Sequence, residues 1–154
     1  MSPYYKYKKE SLNKKFSVAK DTLALMQGAM EEYKKTNSVY IKRGIIGYYQ
    51  DFTEYIIDMC ETYLVMTDNY EDGLSGVLII KKACIYGFIE SDLERYLLAV
   101  VRLRNRYTHD YYKRETVEED IFKYCFTKME TLKLFLDITN EKIKMKYSIE
   151  NDLK

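Results

Sequence analysis

Residues 41–67 read IKRGIIGYYQDFTEYIIDMCETYLVMT. In this stretch Ile45, Tyr49, Phe52, Ile56, Met59, Tyr63 and Met66 recur at alternating steps of four and three. A half-buried strand would need apolar residues at every second position. The observed spacing instead gathers all seven on one side of a helix that turns every 3.6 residues. Polar Arg43, Gln50, Glu54 and Asp58 fall elsewhere on the same helix, predicted over about Ile41 to Thr67.

The segments on either side repeat the pattern. Upstream, from about Tyr7 to Lys35, Phe16, Ala19, Leu23, Met26, Met30 and Tyr33 form another apolar face, broken by Thr36-Asn37-Ser38. Downstream, Asn69 to Gly73 reads as a turn, followed by a shorter helix over roughly Ser75 to Tyr86 that Gly87 ends. Ser91-Asp92-Leu93-Glu94 has the form of a capping box opening a fourth helix, with Leu93, Leu97, Val100 and Val101 as its buried stripe. A second such box, Thr116-Val117-Glu118-Glu119, is expected to start the last helix, with Ile121, Cys125, Leu132, Phe135 and Ile143 facing inward. From Ser148 the chain turns polar and is expected to fray. Four long helices and one short one on short loops predict an all-α, antiparallel four-to-five-helix bundle, a single domain over 1–154.

Composition narrows the class. The 154 residues include one Pro and six Gly, so chain breakers are few, and the length suits one self-sufficient core. The longest strongly apolar run, Tyr96 to Val101, is too short to span a bilayer, and Met1 to Lys6 lacks a signal-peptide core. A soluble cytoplasmic protein with no membrane partner is expected. Cys60, Cys84 and Cys125 are odd in number and far apart, which fits small core residues in a reducing compartment. With one histidine and no close cysteine pair, neither a zinc site nor any cofactor is expected. Seventeen tyrosines exceed what one small core can hide, so some surface must be aromatic.

A net charge of +1 argues against a general nucleic-acid coat, because such binding draws on many phosphate contacts. Any nucleic-acid site must be local. Residues 102–114 supply one: Arg102, Arg104, Arg106, Lys113 and Arg114 stand against the single carboxylate of Asp110. Among them lies His109, the only histidine, in Arg104-Asn105-Arg106-Tyr107-Thr108-His109-Asp110-Tyr111. Histidine is the residue type whose ordinary titration suits proton transfer near neutral pH. On a regular helix, five residues at about 100° each set Arg104 roughly 140° around from His109. For the two to converge, either the helix breaks between them or the site combines two protomers.

The spacing Arg-x4-His-x-Tyr, with Asn105 after the arginine, resembles the signature of the HEPN superfamily and, within it, the HepT-like toxin ribonucleases. The resemblance covers about Arg43 to the end of the last helix, and departs from the usual pattern at Tyr107 and Thr108, where an aliphatic pair is commoner. It implies a homodimer whose two motif helices meet near the dimer axis and line a shared cleft. It also implies a toxin that cleaves RNA through its own 2′-hydroxyl without a metal, and a nucleotidyltransferase antitoxin that attaches AMP to Tyr111. In this scheme His109 moves the proton and Arg104 clamps the phosphate through its planar fork of donors. Asn105 and Asp58 support them, Arg102, Arg106 and Arg114 contact the RNA backbone, and Tyr112 is the neighbouring candidate for modification.

Two other readings stand beside it. A non-catalytic subunit of the same superfamily would present nucleotide or substrate to a partner nucleotidyltransferase. A plain helical scaffold would use the tyrosine-rich surface alone, with the basic residues and His109 serving to compensate the dipole and bond the free carbonyls at a helix C-terminus.

Overall fold

A computed structural model of the chain describes the backbone of residues 5–152 and the side chains of residues 9–144. The described residues form five α-helices and no strand: α1 (Tyr5–Thr36), α2 (Val39–Met66), α3 (Gly76–Ile85), α4 (Ser91–His109) and α5 (Arg114–Asp152), with a 3₁₀ turn over Tyr111–Lys113 between the last two. Lys15 on α1 reaches Thr62 on α2, and the two helices are joined at Asn37-Ser38, so they pack as an antiparallel hairpin. α5 runs antiparallel to α1, with Tyr33 against Phe122 and Met26 against Cys125, and antiparallel to α4, with Tyr124 against Tyr96 and Arg106 against Asp120. It lies in the same direction as α2, where Lys42 meets Glu119 and Tyr49 meets Tyr124.

Each break in the helices has a local cause. Asn37 takes a left-handed φ of 51°, which a short polar side chain tolerates, and Ser38 then caps α2 by accepting the Ile41 N–H. α2 ends with Asp68 at φ 58°, where the Asn69 N–H bonds the Leu64 carbonyl at 2.8 Å. Gly87, at φ 85°, closes α3 in the same way, with the Phe88 N–H on the Ala83 carbonyl at 2.8 Å.

Neither expected capping box forms. Phe88 and Ile89 are buried immediately after α3, so the chain is already anchored and Glu90 becomes the N-cap, with Ser91 inside the first turn. At the second site the loop is so short that the 3₁₀ turn runs straight into α5 at Arg114, and Thr116 is already helical. Glu118 and Glu119 pair instead with Arg43 and Lys42 on α2. α5 also continues past Ser148, where a frayed tail was expected, because no Gly or Pro interrupts it.

The predicted stripes supply most of the core, although on α1 Ala19, Leu23, Met26 and Met30 are buried while Phe16 and Tyr33 are only partly so. All seven apolar residues named on α2 are buried, as are Leu93, Leu97, Val100 and Val101 on α4 and Ile121, Cys125, Leu132, Phe135 and Ile143 on α5. Tyr49 lies at the centre of this packing and donates its hydroxyl to the Val100 carbonyl at 2.8 Å, so a large ring is buried with its polar tip satisfied. Burial raises the Tyr49 phenol far above the ordinary tyrosine value. At Gly76 a Cβ would lie 2.9 Å from Ile57 Cδ1 and 3.3 Å from Val101 Cγ1, so a larger residue at the start of α3 would require the end of the Ile57 side chain to move. Cys60 and Cys125 are buried thiols, and all three cysteines are unpaired with one another. No helix among the described residues is long and apolar enough to cross a membrane.

Candidate functional site

α4 leaves the core at Val101. From Arg102 onward its residues are half-buried or exposed, but its helical geometry persists to His109, where the Asp110 N–H bonds the Arg106 carbonyl at 2.7 Å. The helix therefore does not break between Arg104 and His109, and one chain does not bring the two together.

Arg104 turns toward α2. Its Nη1 is paired with Glu54, the arginine side chain 20% exposed and the glutamate 50% exposed. The Arg104 Nε is buried with no acceptor, and burial draws the guanidinium below the ordinary arginine range, opposed by the nearby Tyr49 phenol. Arginine still keeps its charge in neutral buffer. The pair is only partly shielded from water, so its contribution to stability is about 1 kcal/mol or less. Asp58, expected as the supporting carboxylate, is one turn further along α2, and its carboxylate makes no ion pair or hydrogen bond among the described residues. Glu54 holds that place.

His109 faces the other way. It is exposed and lines a shallow depression of about 310 Å³ with Arg102, Asn105, Arg106 and Asp110. This is the stripe predicted at steps of three and four, with Asn105 half-buried at its floor. Among the described residues the imidazole makes no hydrogen bond to a carbonyl of the last turn, the contact that a helix-capping histidine would use. Arg106 is tied at 3.3 Å to Asp120 on α5, both about half exposed, whereas Arg102 is exposed toward solvent.

The 3₁₀ turn beyond the depression presents Tyr111 and Tyr112, each 71% exposed, edge to face at 6.0 Å. Its base is fixed by the Lys113 N–H on the Asp110 carbonyl at 2.8 Å. Arg114 is not directed at the depression; its guanidinium sits 5.0 Å from the Tyr107 ring. The same tyrosine donates its hydroxyl to Glu118, which also pairs with Arg43. Thr108 donates to the Arg104 carbonyl at 3.2 Å. Tyr107 and Thr108, where an aliphatic pair is usual in the resembled motif, therefore bind α4 to α5 and to its own preceding turn.

Sequence reasoning allowed Gln50, Glu54 and Asp58 to approach the site from α2 and favoured Asp58, whereas it passed over Asp120 and the Arg43–Glu118–Tyr107 chain. Their signal was the register between helices, since Tyr49 opposite Val100 carries Glu54 to the level of Arg104. No three His, Cys, Asp or Glu side chains gather in a metal-holding group among the described residues. No protein-family model matches this chain, and no curated protein matches it.

Proposed function

We propose that this chain is a HepT-like ribonuclease toxin of the HEPN superfamily, active as a homodimer and neutralised by a nucleotidyltransferase antitoxin. The observation that carries the reading is His109, exposed in a depression shared with Arg102, Asn105 and Arg106 and bonded to no helix carbonyl among the described residues. A group that titrates near neutrality, beside donors suited to a phosphate and open to a strand, has what RNA transesterification needs. The substrate's 2′-hydroxyl gives up its proton as its oxygen bonds the adjacent phosphorus, the bond from that phosphorus to the 5′-oxygen of the next nucleotide breaks, and this oxygen leaves with a proton, so that one proton is released, one is taken up and a 2′,3′-cyclic phosphate remains. His109 moves the proton that the leaving oxygen takes up.

The phosphate clamp comes from pairing two chains. Arg104 lies about 140° around α4 from His109, so His109 of one protomer and Arg104 of the partner subunit approach one strand when the two motif helices face each other. Exposed Tyr111, two residues beyond His109, is the site of AMP transfer. Added phosphate and bulk there would oppose entry of RNA.

A second reading, a non-catalytic subunit that presents nucleotide or substrate to a nucleotidyltransferase, is favoured by one observation: Arg104 is already engaged by Glu54. Incubation of the purified protein with single-stranded RNA in EDTA separates the two. The ribonuclease reading expects cleavage products ending in 2′,3′-cyclic phosphate and their loss in His109→Ala. Intact RNA, cleavage undiminished by that substitution, or cleavage restored only by a divalent ion would overturn it.

A further inference from the structure

We propose that the Tyr111–Lys113 turn is a stacking platform for an unpaired base of single-stranded nucleic acid, with Tyr112 its principal face, while the phosphates of the same strand follow the His109 depression. The identity of the strand as RNA rests on the ribonuclease reading; the platform rests on its own geometry. Tyr111 and Tyr112 leave most of their surface to water and meet edge to face at 6.0 Å. Lys113 Nζ lies over one face of the Tyr112 ring, 5.6 Å from its centre, which leaves a base only the opposite face, and the turn is pinned by the Lys113 N–H on the Asp110 carbonyl. Asp110 itself lines the depression, and three residues of chain place the Cα of Tyr112 within about 11 Å of that of His109.

Charge selects the occupant. Exposed Arg102 stands on one side of His109 and Lys113 on the other, with Asp110 the acidic residue among those lining the depression. With Arg106 paired to Asp120, the cations left for a ligand here among the described residues are Arg102 and Lys113 against Asp110, and this modest positive excess beside exposed tyrosine rings fits a polyanion carrying planar bases. A duplex cannot use such a face, because its bases already cover one another. The partner is therefore a single strand with at least one base free to turn out.

The test uses short DNA oligonucleotides carrying 2-aminopurine, which lack the 2′-hydroxyl and so report binding without cleavage. The full chain should bind the single strand with quenched fluorescence and bind the matched duplex much more weakly. Tyr112→Phe keeps the ring and should bind like the parent. Tyr112→Leu keeps apolar bulk without a π-face and should weaken binding roughly 5- to 150-fold, with the melting temperature unchanged. Equal binding by Tyr112→Leu, equal binding of the duplex, or no binding of any oligonucleotide overturns the platform, the first of these returning the exposed tyrosines to a protein partner. Tyr112-dependent binding by a protein that cuts no RNA would leave the platform standing and remove the ribonuclease reading. Cleavage lost in His109→Ala but indifferent to Tyr112→Leu would do the reverse.

Discussion

The two halves of α4 are held by different forces. From Leu93 to Val101 the helix is fixed by packing: Leu97, Val100 and Val101 are fully buried, and Tyr49 locks the Val100 carbonyl from across the bundle. From Arg102 to His109 no side chain is fully buried: Leu103 and Tyr107 pack only partly against the core, Arg104 pairs with Glu54, Arg106 pairs with Asp120 and His109 faces solvent. The first half is held by the core, and the second presents its polar groups to α2, to α5 and to solvent. A polar segment can be spared from the core only because the preceding turns anchor it, the usual arrangement of a binding group on a rigid element. Substitutions in the two halves should therefore separate stability from activity.

The largest effect is expected at His109. His109→Ala should lower single-turnover RNA cleavage by roughly 10²–10⁴ while the protein melts within a few degrees of the parent, because an exposed imidazole with no carbonyl partner supports little structure. A variant that remained active and melted early would make His109 a helix cap and merge the two halves into one structural unit.

Arg104 sharpens the contrast, since it belongs to the second half by sequence but leans on the body of the protein. Arg104→Lys should lose most cleavage activity, because a point charge cannot bind a phosphate through two parallel donors. Its melting should stay close to that of the parent, a partly exposed ion pair being worth about 1 kcal/mol or less. Mixing Arg104→Lys with His109→Ala should then restore activity, since each mixed dimer holds one cleft with both native groups. Full activity in Arg104→Lys alone would assign the arginine to its pair with Glu54. Failure of the mixture to recover, with mixed dimers demonstrated by mass, would place both groups of one site on one chain.

The contrast also shows what the sequence could reveal. The core stripes were legible because burial on a helix leaves a period of 3.6, and that signal is internal to each segment. The His109 stripe was legible for the same reason, as was the divergence of Arg104 from it. The starts of α3 at Ser75 and α4 at Ser91 were legible to within a residue, but the capping was not, because Ser91 and Thr116 satisfy a local capping rule that tertiary anchoring of Phe88 and Ile89, and the tight turn before Arg114, overrode. The carboxylate partners were missed for a further reason. Whether Glu54 or Asp58 meets Arg104 depends on how α2 is shifted along α4, a displacement that neither helix encodes alone.

The first half can be tested without touching the site. Leu97 is fully buried, and Leu97→Ala should cost about 2–5 kcal/mol, which for a chain of this size lowers the melting temperature by roughly 4–20 °C. Cleavage well below the melt should stay near that of the parent. A comparable loss of activity at low temperature would mean that the anchor does more than hold the helix.

The smallest effect expected is alkaline, and it tests whether the packing around Tyr49 continues to the partly exposed Tyr124. Tyr124 donates to the Tyr96 carbonyl at 3.2 Å and meets the Tyr49 ring at 6.3 Å, and burial, then Cys125 and Tyr96, push its phenol from 10.0 up to about 12. The unfolded chain releases this proton near pH 10 and the folded chain only near pH 12. Across that window the unfolded state binds fewer protons, so stability that is complete below pH 10 declines as pH rises. Cys125, pushed by burial from 9.0 to about 12, acts in the same direction from a lower starting pH. The parent should thus melt at a lower temperature at pH 11 than at pH 9, and Tyr124→Phe should remove only part of that drop, because Tyr49, Cys60 and Cys84, also raised by burial, retain their share with Cys125. An identical drop in Tyr124→Phe would mean that the phenol titrates as if in water, and the packed region would end at Tyr49.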